Sequence, residues 1–197
     1  KPIVPHLEAA FATVLFVLGE ALLNKRFFDF LAAAKKQGTY CMTSSHGMSL
    51  TDENIDKIIE HQLDELCISF DGTSQRTVNF LRNGADFQTV LRNTKKLIDR
   101  RNELGLEKPY VIISYTVSKY NVWEMKKAVK LCHEIGADHL GFSNLVLDHP
   151  EHSHVSIAGS RVFQFNLNRA MKLADELDFH ATYFYQIPFP YLEQHIP

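Results

Sequence analysis

The stretch YVIISYTV, Tyr110–Val117, has the length of a β-strand and is apolar along most of its course. A strand with apolar residues on both faces is typical of a parallel sheet that helices cover on both sides. Five further short runs have similar character: LFVL (15–18), TYCMTS (39–44), ELCISF (65–70), HLGFSN (139–144) and ATYFYQI (181–187). These runs predict an α/β protein with a parallel sheet.

Segments with helical periodicity separate the apolar runs. Apolar residues recur at helical spacing in the segments 27–34, 51–59, 87–98, 122–136 and 161–177. Gly38 and Gly136 are placed to end two of the helices, and Thr51 is placed to begin another. Strand and helix therefore alternate at roughly 25 to 40 residues, which indicates successive right-handed βαβ units. Both a doubly wound sheet and part of a (β/α) barrel fit this pattern.

The composition narrows the class of protein. The chain has 197 residues, of which 45% are hydrophobic and 22% are charged, with a formal net charge of −2. These values are typical of a soluble globular domain and give no electrostatic support for binding to nucleic acid or to an anionic membrane. No apolar run is long enough to predict a transmembrane helix, and no basic segment followed by an apolar stretch predicts a signal peptide.

The three cysteines are Cys41, Cys67 and Cys132, and they form no C-x-x-C pair. An odd and scattered set argues against a disulfide framework and favours a cytoplasmic location. It also argues against a zinc site or an iron–sulfur cluster that is held by this chain alone. All three side chains are expected to be buried as small apolar groups.

Polar residues collect at the predicted carboxyl ends of the strands, where parallel α/β folds place their sites. No Gly-rich nucleotide fingerprint is among them, which weighs against a Rossmann or P-loop domain. Glu20 follows an apolar run directly, and a carboxylate there needs a cation or several hydrogen-bond donors. A ligand ammonium would serve. The full set comprises Gly19-Glu20, Thr43–Gly47, Ser69, Asp71-Gly72, Ser114, Thr116, Asn121 and Ser143-Asn144.

Three segments resemble motifs of the radical SAM superfamily. LFVLGEALLNKRFF is similar to G-E-P-L-L-N-P-x-F-F, and TSSHGMSLTDENIDKII is similar to T-x-N-G-x-x-L-T-x-E-N-I-x-x-L. LDELCISFDGTSQRTVNFLRNGADFQTVLRNTKKLID is similar to a stretch that begins L-D-E-I-x-I-S-I-D-G and continues through I-R-G to L-x-N-I-x-x-L. The similarity runs from Leu15 to Leu147 and is strongest to the branch that carries a cysteine-rich SPASM-type extension.

The resemblance implies a fold and a domain layout. The fold is a partial (β/α)6 TIM-like barrel of parallel strands, and its first barrel strand is expected to be missing from this chain. Residues 1–197 are expected to form a single domain. Within it, the resemblance and the local pattern predict a helix in 1–14, a loop in 147–160 and a tail in 186–197.

The resemblance also implies S-adenosylmethionine as a cofactor. Gly19 and Glu20 would bind its methionine amino group, and Ser69 and Arg82 would contact its carboxylate. Arginine suits a carboxylate because its planar guanidinium presents two parallel donors.

Further residues would contact the nucleoside part of the cofactor. Asp71 would orient Arg82 or contact the ribose, Ser114 would contact the ribose, and Asn144–Val146 would line the adenine. In the family, a [4Fe–4S] cluster cleaves the cofactor reductively and yields a 5′-deoxyadenosyl radical.

The chain departs from the family pattern in its cluster segment. The family holds its cluster with C-x-x-x-C-x-x-C, and the 18 residues before Gly19 contain no cysteine. The cluster ligands are therefore expected either to lie upstream of Lys1 or to have been lost. Two smaller departures are Leu18-Gly19-Glu20-Ala21 in place of G-G-E-P, and His46-Gly47 in place of Asn-Gly.

Three functions follow from these patterns. The first is the core of a radical SAM enzyme that acts on a peptide or a small molecule, inactive as this fragment alone. The second is a homologue without a cluster that serves as a binding module or partner protein. The third is a metal-dependent hydrolase or lyase whose ligands are Asp148, His149, His152 and His154. An open barrel edge would favour pairing with a second copy as a homodimer.

Overall fold

The computed structural model describes residues 10–15, 19–82, 84–145 and 154–184, and strands alternate with helices along them. The strands are β1 (Ala12–Val14), β2 (Tyr40–Ser45), β3 (Glu65–Ser69), β4 (Tyr110–Val117), β5 (His139–Asn144) and β6 (Ala181–Phe184). The helices are α1 (Phe27–Lys36), α2 (Asp52–Glu60), α3 (Gln75–Leu81), α4 (Phe87–Glu103), α5 (Met125–Glu134) and α6 (Arg161–Glu176). Short 3-10 turns at Ala21–Leu23 and Val122–Glu124 precede α1 and α5.

The six strands form one sheet in the order β1-β2-β3-β4-β5-β6. The pairs β1–β2, β2–β3 and β5–β6 are parallel. A doubly wound sheet would reverse its strand order at a switch point, and this sequential order does not. The predicted α/β fold with the parallel sheet of a partial barrel is therefore confirmed, with β1 and β6 at the two edges of the described sheet.

The described residues divide into two compact units. The first unit takes its residues from Lys1–Ser69, Ala85–Ile112 and Ile135–Ala137, and the second from Phe70–Gly84, Ile113–Glu134 and Asp138–Pro197. The core of the first includes Leu31, Ile58, Leu66, Ile68 and Leu97, and that of the second includes Ile113, Tyr115, Val129, Leu140 and Phe142. The single domain over 1–197 stays a prediction.

Polar side chains fix where the helices begin. Thr51, Ser74, Asp86 and Ser160 each accept a hydrogen bond from a backbone N–H in the first turn of α2, α3, α4 and α6. This satisfies donors that have no partner inside the helix. Gly38 and Gly136 follow α1 and α5 at φ +74° and +77°, as predicted for residues that end a helix. The sequence pattern missed α3, because its seven residues span only about two turns.

The predicted helix in 1–14 is wrong at its carboxyl end, where the chain forms β1. Ala12–Val14 pair with Tyr40–Met42 of β2, and the β-branched residues Thr13 and Val14 favour an extended backbone. Leu15 continues this pairing, since its N–H donates to the Met42 carbonyl at 2.8 Å. Residues 1–9, 16–18, 83, 146–153 and 185–197 lie outside the described part of the chain, and with them half of the predicted loop and the whole predicted tail.

The cysteines are buried to different extents. Cys41 and Cys132 are buried, as predicted, whereas Cys67 is only half-buried in β3. Burial raises the pKa of the Cys132 thiol far above its ordinary range, so this thiol stays neutral. Among the described helices, none is both long enough and apolar enough to cross a membrane.

Candidate functional site

The Glu20 carboxylate lies beside the carboxyl end of β2, in the first unit. Ser45 Oγ donates a 2.8 Å hydrogen bond to Oε1, and the His46 backbone N–H donates one of 2.8 Å to Oε2. His46 Nε2 lies 3.4 Å from Oε2, and the Glu20 side chain is only 7% exposed. Within the described residues, no lysine or arginine pairs with this carboxylate. A buried carboxylate whose hydrogen-bond donors are neutral can still bind a cation.

The backbone around Glu20 explains the glycine that precedes it. Gly19 has φ +86°, in the left-handed region that side chains other than glycine rarely adopt. A Cβ at this position would meet nothing within 4 Å, so the backbone angle and not a close approach of protein atoms requires glycine. Glu20 then stands at the start of the 3-10 turn Ala21–Leu23 and makes no cap bond to it, which leaves its carboxylate for Ser45 and His46.

Ser69 and Ser114 occupy half-buried positions on their strands. Ser69 ends β3 and lies on the face opposite to Leu66 and Ile68. Ser114 lies in β4 on the half-buried face, and its carbonyl accepts a 2.9 Å hydrogen bond from the Phe70 N–H. The structure records no hydrogen bond of either hydroxyl within the described residues. No recorded contact of the described residues assigns either hydroxyl a structural role.

Asp71 and Arg82 form an ion pair in the second unit. Arg82 Nε donates to Asp71 Oδ2, and the Thr116 N–H donates a 3.3 Å hydrogen bond to Asp71 Oδ1. The Asp71 side chain is 12% exposed and that of Arg82 is 37% exposed. Asp71 thus orients Arg82, which is one of the two roles that the resemblance implied. Of the six predicted residues, Gly19, Glu20 and Ser69 belong to the first unit, and Asp71, Arg82 and Ser114 to the second.

Asn121 fixes the backbone next to this ion pair. Its side chain is fully buried, and its Nδ2 donates to the carbonyls of Asp71 and Thr116 at 3.0 and 2.8 Å. Its Oδ1 accepts a 2.7 Å hydrogen bond from the Ser118 N–H. Asn121 was noted in the sequence as a polar residue near a strand end, but nothing local showed that it binds a segment 50 residues away.

Glu124 binds the segment that follows Asp71, and no pattern in the sequence indicated this role. Its carboxylate accepts hydrogen bonds from Thr73 N–H at 2.6 Å, Thr73 Oγ1 at 3.0 Å, Ser74 Oγ at 3.3 Å and Thr77 Oγ1 at 2.5 Å. Burial raises the pKa of this carboxyl, but the hydrogen bonds from Thr77, Thr73 and Ser74 outweigh it and hold the pKa below its ordinary value. A glutamate near the start of a helix is otherwise explained by the helix dipole.

The described residues do not fit an iron–sulfur cluster. Cys41, Cys67 and Cys132 lie on three different elements, β2, β3 and α5. No three His, Cys, Asp or Glu side chains of the described residues are grouped so as to hold a metal ion. Of the histidine loop that suggested a hydrolase, only His154 is described, and Asp148, His149 and His152 lie outside the described residues.

Comparison with known proteins supports the resemblance. The sequence model of the radical SAM superfamily matches residues 4–132, which is more than half of the chain. The tungsten-containing aldehyde ferredoxin oxidoreductase cofactor-modifying protein of Pyrococcus furiosus is 29% identical over 138 residues. The match covers 68% of this chain and 38% of that protein, so the chain spans well under half the length of this relative.

Solved structures show the same fold. Streptococcus suis SuiB bound to S-adenosylmethionine superposes with a TM-score of 0.66 at 12% identity, over 86% of this chain and 38% of SuiB. SuiB bound to its precursor peptide SuiA gives a TM-score of 0.62 at 12% identity, over 86% of this chain and 37% of SuiB. At this identity the likeness concerns the fold, whereas the match over residues 4–132 concerns the sequence. The chain belongs to the radical SAM superfamily.

Proposed function

We propose that this chain is the part of a radical SAM enzyme that binds S-adenosylmethionine, and that Glu20 binds the ammonium of its methionine group. The observation that carries the proposal is the surroundings of Glu20. The Glu20 carboxylate is 7% exposed and is held by Ser45 and the His46 backbone, and no lysine or arginine of the described residues pairs with it. A ligand ammonium would complete that charge balance.

Arg82 is the proposed partner of the ligand carboxylate. Its guanidinium is 37% exposed and is oriented by Asp71, which is itself held by the Thr116 N–H. A guanidinium that is fixed before the ligand arrives loses less conformational entropy on binding. In this proposal Ser69 adds a hydroxyl donor for the same carboxylate, Ser114 contacts the ribose, and Gly19 sets the backbone that presents Glu20.

The proposal includes a [4Fe–4S] cluster whose cysteine ligands lie outside this sequence. Such a cluster supplies the electron that cleaves the sulfonium of S-adenosylmethionine reductively. In this proposal the chain's own residues bind the ligand, with Glu20 at its ammonium and Arg82 at its carboxylate. The three cysteines of the chain are not grouped so as to bind a metal, which supports the proposal that the cluster ligands lie outside this sequence.

Two classes of substrate belong to the proposal. SuiB is bound to a precursor peptide in one of its structures, which supports a peptide. The Pyrococcus furiosus relative is named for the modification of a cofactor, which supports a small molecule. Both classes are therefore to be assayed with the full-length protein.

The test uses the full-length protein purified without oxygen. We expect about four irons and four sulfides per chain, or more if further clusters are present. Adding S-adenosylmethionine and a reductant should then release 5′-deoxyadenosine. Glu20→Gln and Arg82→Lys should lower the rate of release at sub-saturating S-adenosylmethionine by at least about tenfold. Glutamine removes the charge that attracts the ammonium, and lysine lacks the planar pair of donors that fits a carboxylate.

Two exposed residues of the same chemistry serve as controls. Glu53 pairs with Lys57 on the surface of α2, and Arg100 lies 3.7 Å from Asp56. Glu53→Gln and Arg100→Lys should leave the rate unchanged. A protein that binds no iron and releases no 5′-deoxyadenosine would contradict the proposal and would favour a binding module without a cluster.

A further inference from the structure

Three large aromatic side chains are exposed on neighbouring elements of the second unit. Phe80 of α3 is 65% exposed, Tyr120 after β4 is 39% exposed, and Trp123 in the turn before α5 is 66% exposed. The rings of Phe80 and Tyr120 are in contact, with their centroids 4.5 Å apart. Clustered apolar groups on a surface, unlike single ones, mark sites of interaction. We call Phe80, Tyr120 and Trp123 the aromatic rim.

Hydrogen bonds join the two elements that carry the aromatic rim. The Glu124 carboxylate accepts hydrogen bonds from Ser74 Oγ at 3.3 Å and Thr77 Oγ1 at 2.5 Å, at the start of α3. Trp123 precedes Glu124 directly, and Phe80 lies one helical turn after Thr77. The two elements are therefore fixed to each other before any partner arrives, which lowers the entropic cost of binding.

The aromatic rim lies next to the proposed site for S-adenosylmethionine. Phe80 stands two residues before Arg82, the proposed partner of the ligand carboxylate. Tyr120 precedes Asn121, whose Nδ2 donates a 3.0 Å hydrogen bond to the Asp71 carbonyl. Both elements also follow the carboxyl ends of strands, where parallel α/β folds place their sites. A molecule on the aromatic rim would therefore lie near Arg82.

Four positively charged side chains flank the aromatic rim, and they are Arg76, Lys119, Lys126 and Lys127. Each lies beside one of the rings in the chain or three or four residues from it, the spacing at which side chains share a helix face. Within the described residues, no ion pair is recorded for any of the four. The carboxylate that lies among them, Glu124, is already bound by donors of α3 and the segment before it. The four charges therefore favour an anionic partner.

The rings decide which kind of anion fits. Apolar groups pack on exposed rings, so the partner must carry apolar groups as well as negative charges. A nucleobase needs an open ring face on which to stack. The Tyr120 ring is already contacted by Lys119 Nζ, 4.9 Å from its centroid, and by Phe80 at an interplanar angle of 58°. A peptide that combines carboxylates with apolar side chains meets both requirements better than a nucleic acid does.

We propose that the aromatic rim and the four cations around it bind the substrate, and that this substrate is an acidic peptide segment with aspartate or glutamate beside apolar side chains. The inference rests on the proposed function, in which a peptide is one of two substrate classes, and it selects that class. Apolar side chains of the peptide pack on Phe80 and Trp123, and its carboxylates pair with the flanking cations.

The first experiment identifies the chemistry of the bound peptide. Random peptides displayed on phage are selected on the full-length protein, without S-adenosylmethionine or reductant. We expect the selected sequences to be richer in aspartate, glutamate and apolar residues than the library. Selection of no peptide, or of neutral or basic peptides, would overturn the inference.

The second experiment locates the binding site through the Kd of a selected peptide that carries a fluorescent label. We expect Phe80→Ala and Trp123→Ala each to raise the Kd by about tenfold, because exposed aromatic anchors dominate such contacts. Lys127→Gln should raise it by about threefold, as the loss of one exposed ion pair does. Urea denaturation checks that these exposed substitutions leave the fold intact.

Phe165→Ala is the matched control for the two aromatic substitutions. Phe165 is 58% exposed on α6, and the guanidinium carbon of Arg169 lies 5.4 Å from the centroid of its ring. This aromatic and cationic pair lies outside the aromatic rim, so the substitution should leave the Kd unchanged. Equal Kd values in the wild type and in the Phe80, Trp123 and Lys127 variants would place the peptide elsewhere and overturn the inference.

Other occupants and the proposed function give distinct results. If sedimentation shows a dimer that Phe80→Ala converts into a monomer, the aromatic rim is an interface between copies and the inference is overturned. A single-stranded oligonucleotide that binds there more tightly than the peptide would overturn it as well. Release of 5′-deoxyadenosine without peptide binding would overturn this inference alone. Peptide binding without that release would overturn the proposed function and leave the docking of an acidic peptide standing.

Discussion

The two ends of β2 contact two buried carboxylates that are satisfied in opposite ways. At the amino end, Asp64 accepts hydrogen bonds from the Cys41 N–H at 2.8 Å and from Lys35 Nζ at 2.5 Å, and Lys108 binds its other oxygen. At the carboxyl end, the recorded hydrogen bonds to Glu20 come from two neutral donors, Ser45 Oγ and the His46 backbone N–H. The chain itself balances the charge of Asp64, whereas no lysine or arginine of the described residues pairs with Glu20.

Their surroundings give the two carboxylates different tasks. Burial raises the pKa of Asp64, but the hydrogen bonds from Lys108, Lys35 and the Cys41 N–H outweigh it and hold the pKa below its ordinary value. Asp64 is thereby kept ionised and links the amino ends of β2, β3 and β4, since its carbonyl also accepts a hydrogen bond from the Tyr110 N–H. We infer that Asp64 stabilises the fold and that Glu20 serves binding.

The largest expected effect is that of Asp64→Asn on stability. The substitution leaves the ammonium groups of Lys35 and Lys108 without their anion, and we expect the free energy of unfolding to fall by about 3 kcal/mol. Urea denaturation at pH 7 measures it. Asp56→Asn is the control, since that carboxylate is exposed and lies 3.7 Å from Arg100, and it should change stability by less than about 0.5 kcal/mol. A similar loss in both variants would contradict the structural role of Asp64.

Glu20→Gln should lower the affinity for the ligand strongly and the stability of the fold only a little. The amide cannot attract an ammonium as a carboxylate does, and we expect the affinity for S-adenosylmethionine to fall by about 2 kcal/mol, or roughly 30-fold. The free energy of unfolding should change by less than about 1 kcal/mol, because no ion pair with lysine or arginine is lost among the described residues. Calorimetric titration and urea denaturation of the same samples measure the two quantities. If the variant loses stability but binds S-adenosylmethionine normally, Glu20 stabilises the fold and does not bind the ligand.

The sequence predicted the regular elements well because their signals are local. The run YVIISYTV coincides with β4, and Gly38 and Thr51 mark the end of α1 and the start of α2 as expected. The run LFVL was misleading, since the strand begins three residues earlier, where the backbone pairs with β2. Hydrophobicity indicates burial, but backbone pairing with a neighbouring strand decides where a strand begins.

The candidate site was predictable only in part, for a related reason. Glu20 stood out because a carboxylate after an apolar run is costly to bury, and Asp71 and Arg82 stood out through the family motif. The groups that hold them did not. Glu124 binds Thr73 across 51 residues, and Asn121 binds the Asp71 carbonyl across 50. No periodicity or spacing in the sequence encodes such contacts, because folding brings these residues together.

Glu124 is a third carboxylate that can be compared with Asp64 and Glu20. It has no ammonium partner recorded in the described residues, but four donor contacts from Thr73, Ser74 and Thr77 satisfy it fully. In Glu124→Gln the side-chain NH2 would face one of these donors, and we expect a loss of about 1.5 kcal/mol in the free energy of unfolding. Urea denaturation measures it, with the exposed Glu134→Gln as the control.

The same variant tests whether the loop around Asp71 must be rigid. We expect the affinity for S-adenosylmethionine to fall by only a few-fold, because the Asp71–Arg82 pair itself remains intact. A loss as large as that of Glu20→Gln would show that Glu124 is needed for binding as much as Glu20 is, and the contrast between structural and binding carboxylates would not hold.

The smallest expected effect is the pH dependence of the stabilisation that Asp64 provides at the amino end of β2. The pKa of Asp64 is lower in the folded chain than the value of about 3.9 for an unfolded aspartate. Between the two values the unfolded state binds more protons, so the stabilisation from Asp64 is complete above about pH 5 and is lost as the pH falls through the folded pKa. The difference in unfolding free energy between the wild type and Asp64→Asn should therefore narrow from pH 5 to pH 2 in a series of urea titrations.

Glu124 also has a lowered pKa, but it is present in both proteins and cancels in the difference. A difference that stays constant over this range would mean that Lys35 and Lys108 do not favour the ionised form, and that Asp64 stabilises the fold through neutral hydrogen bonds, as Ser45 and the His46 backbone hold Glu20.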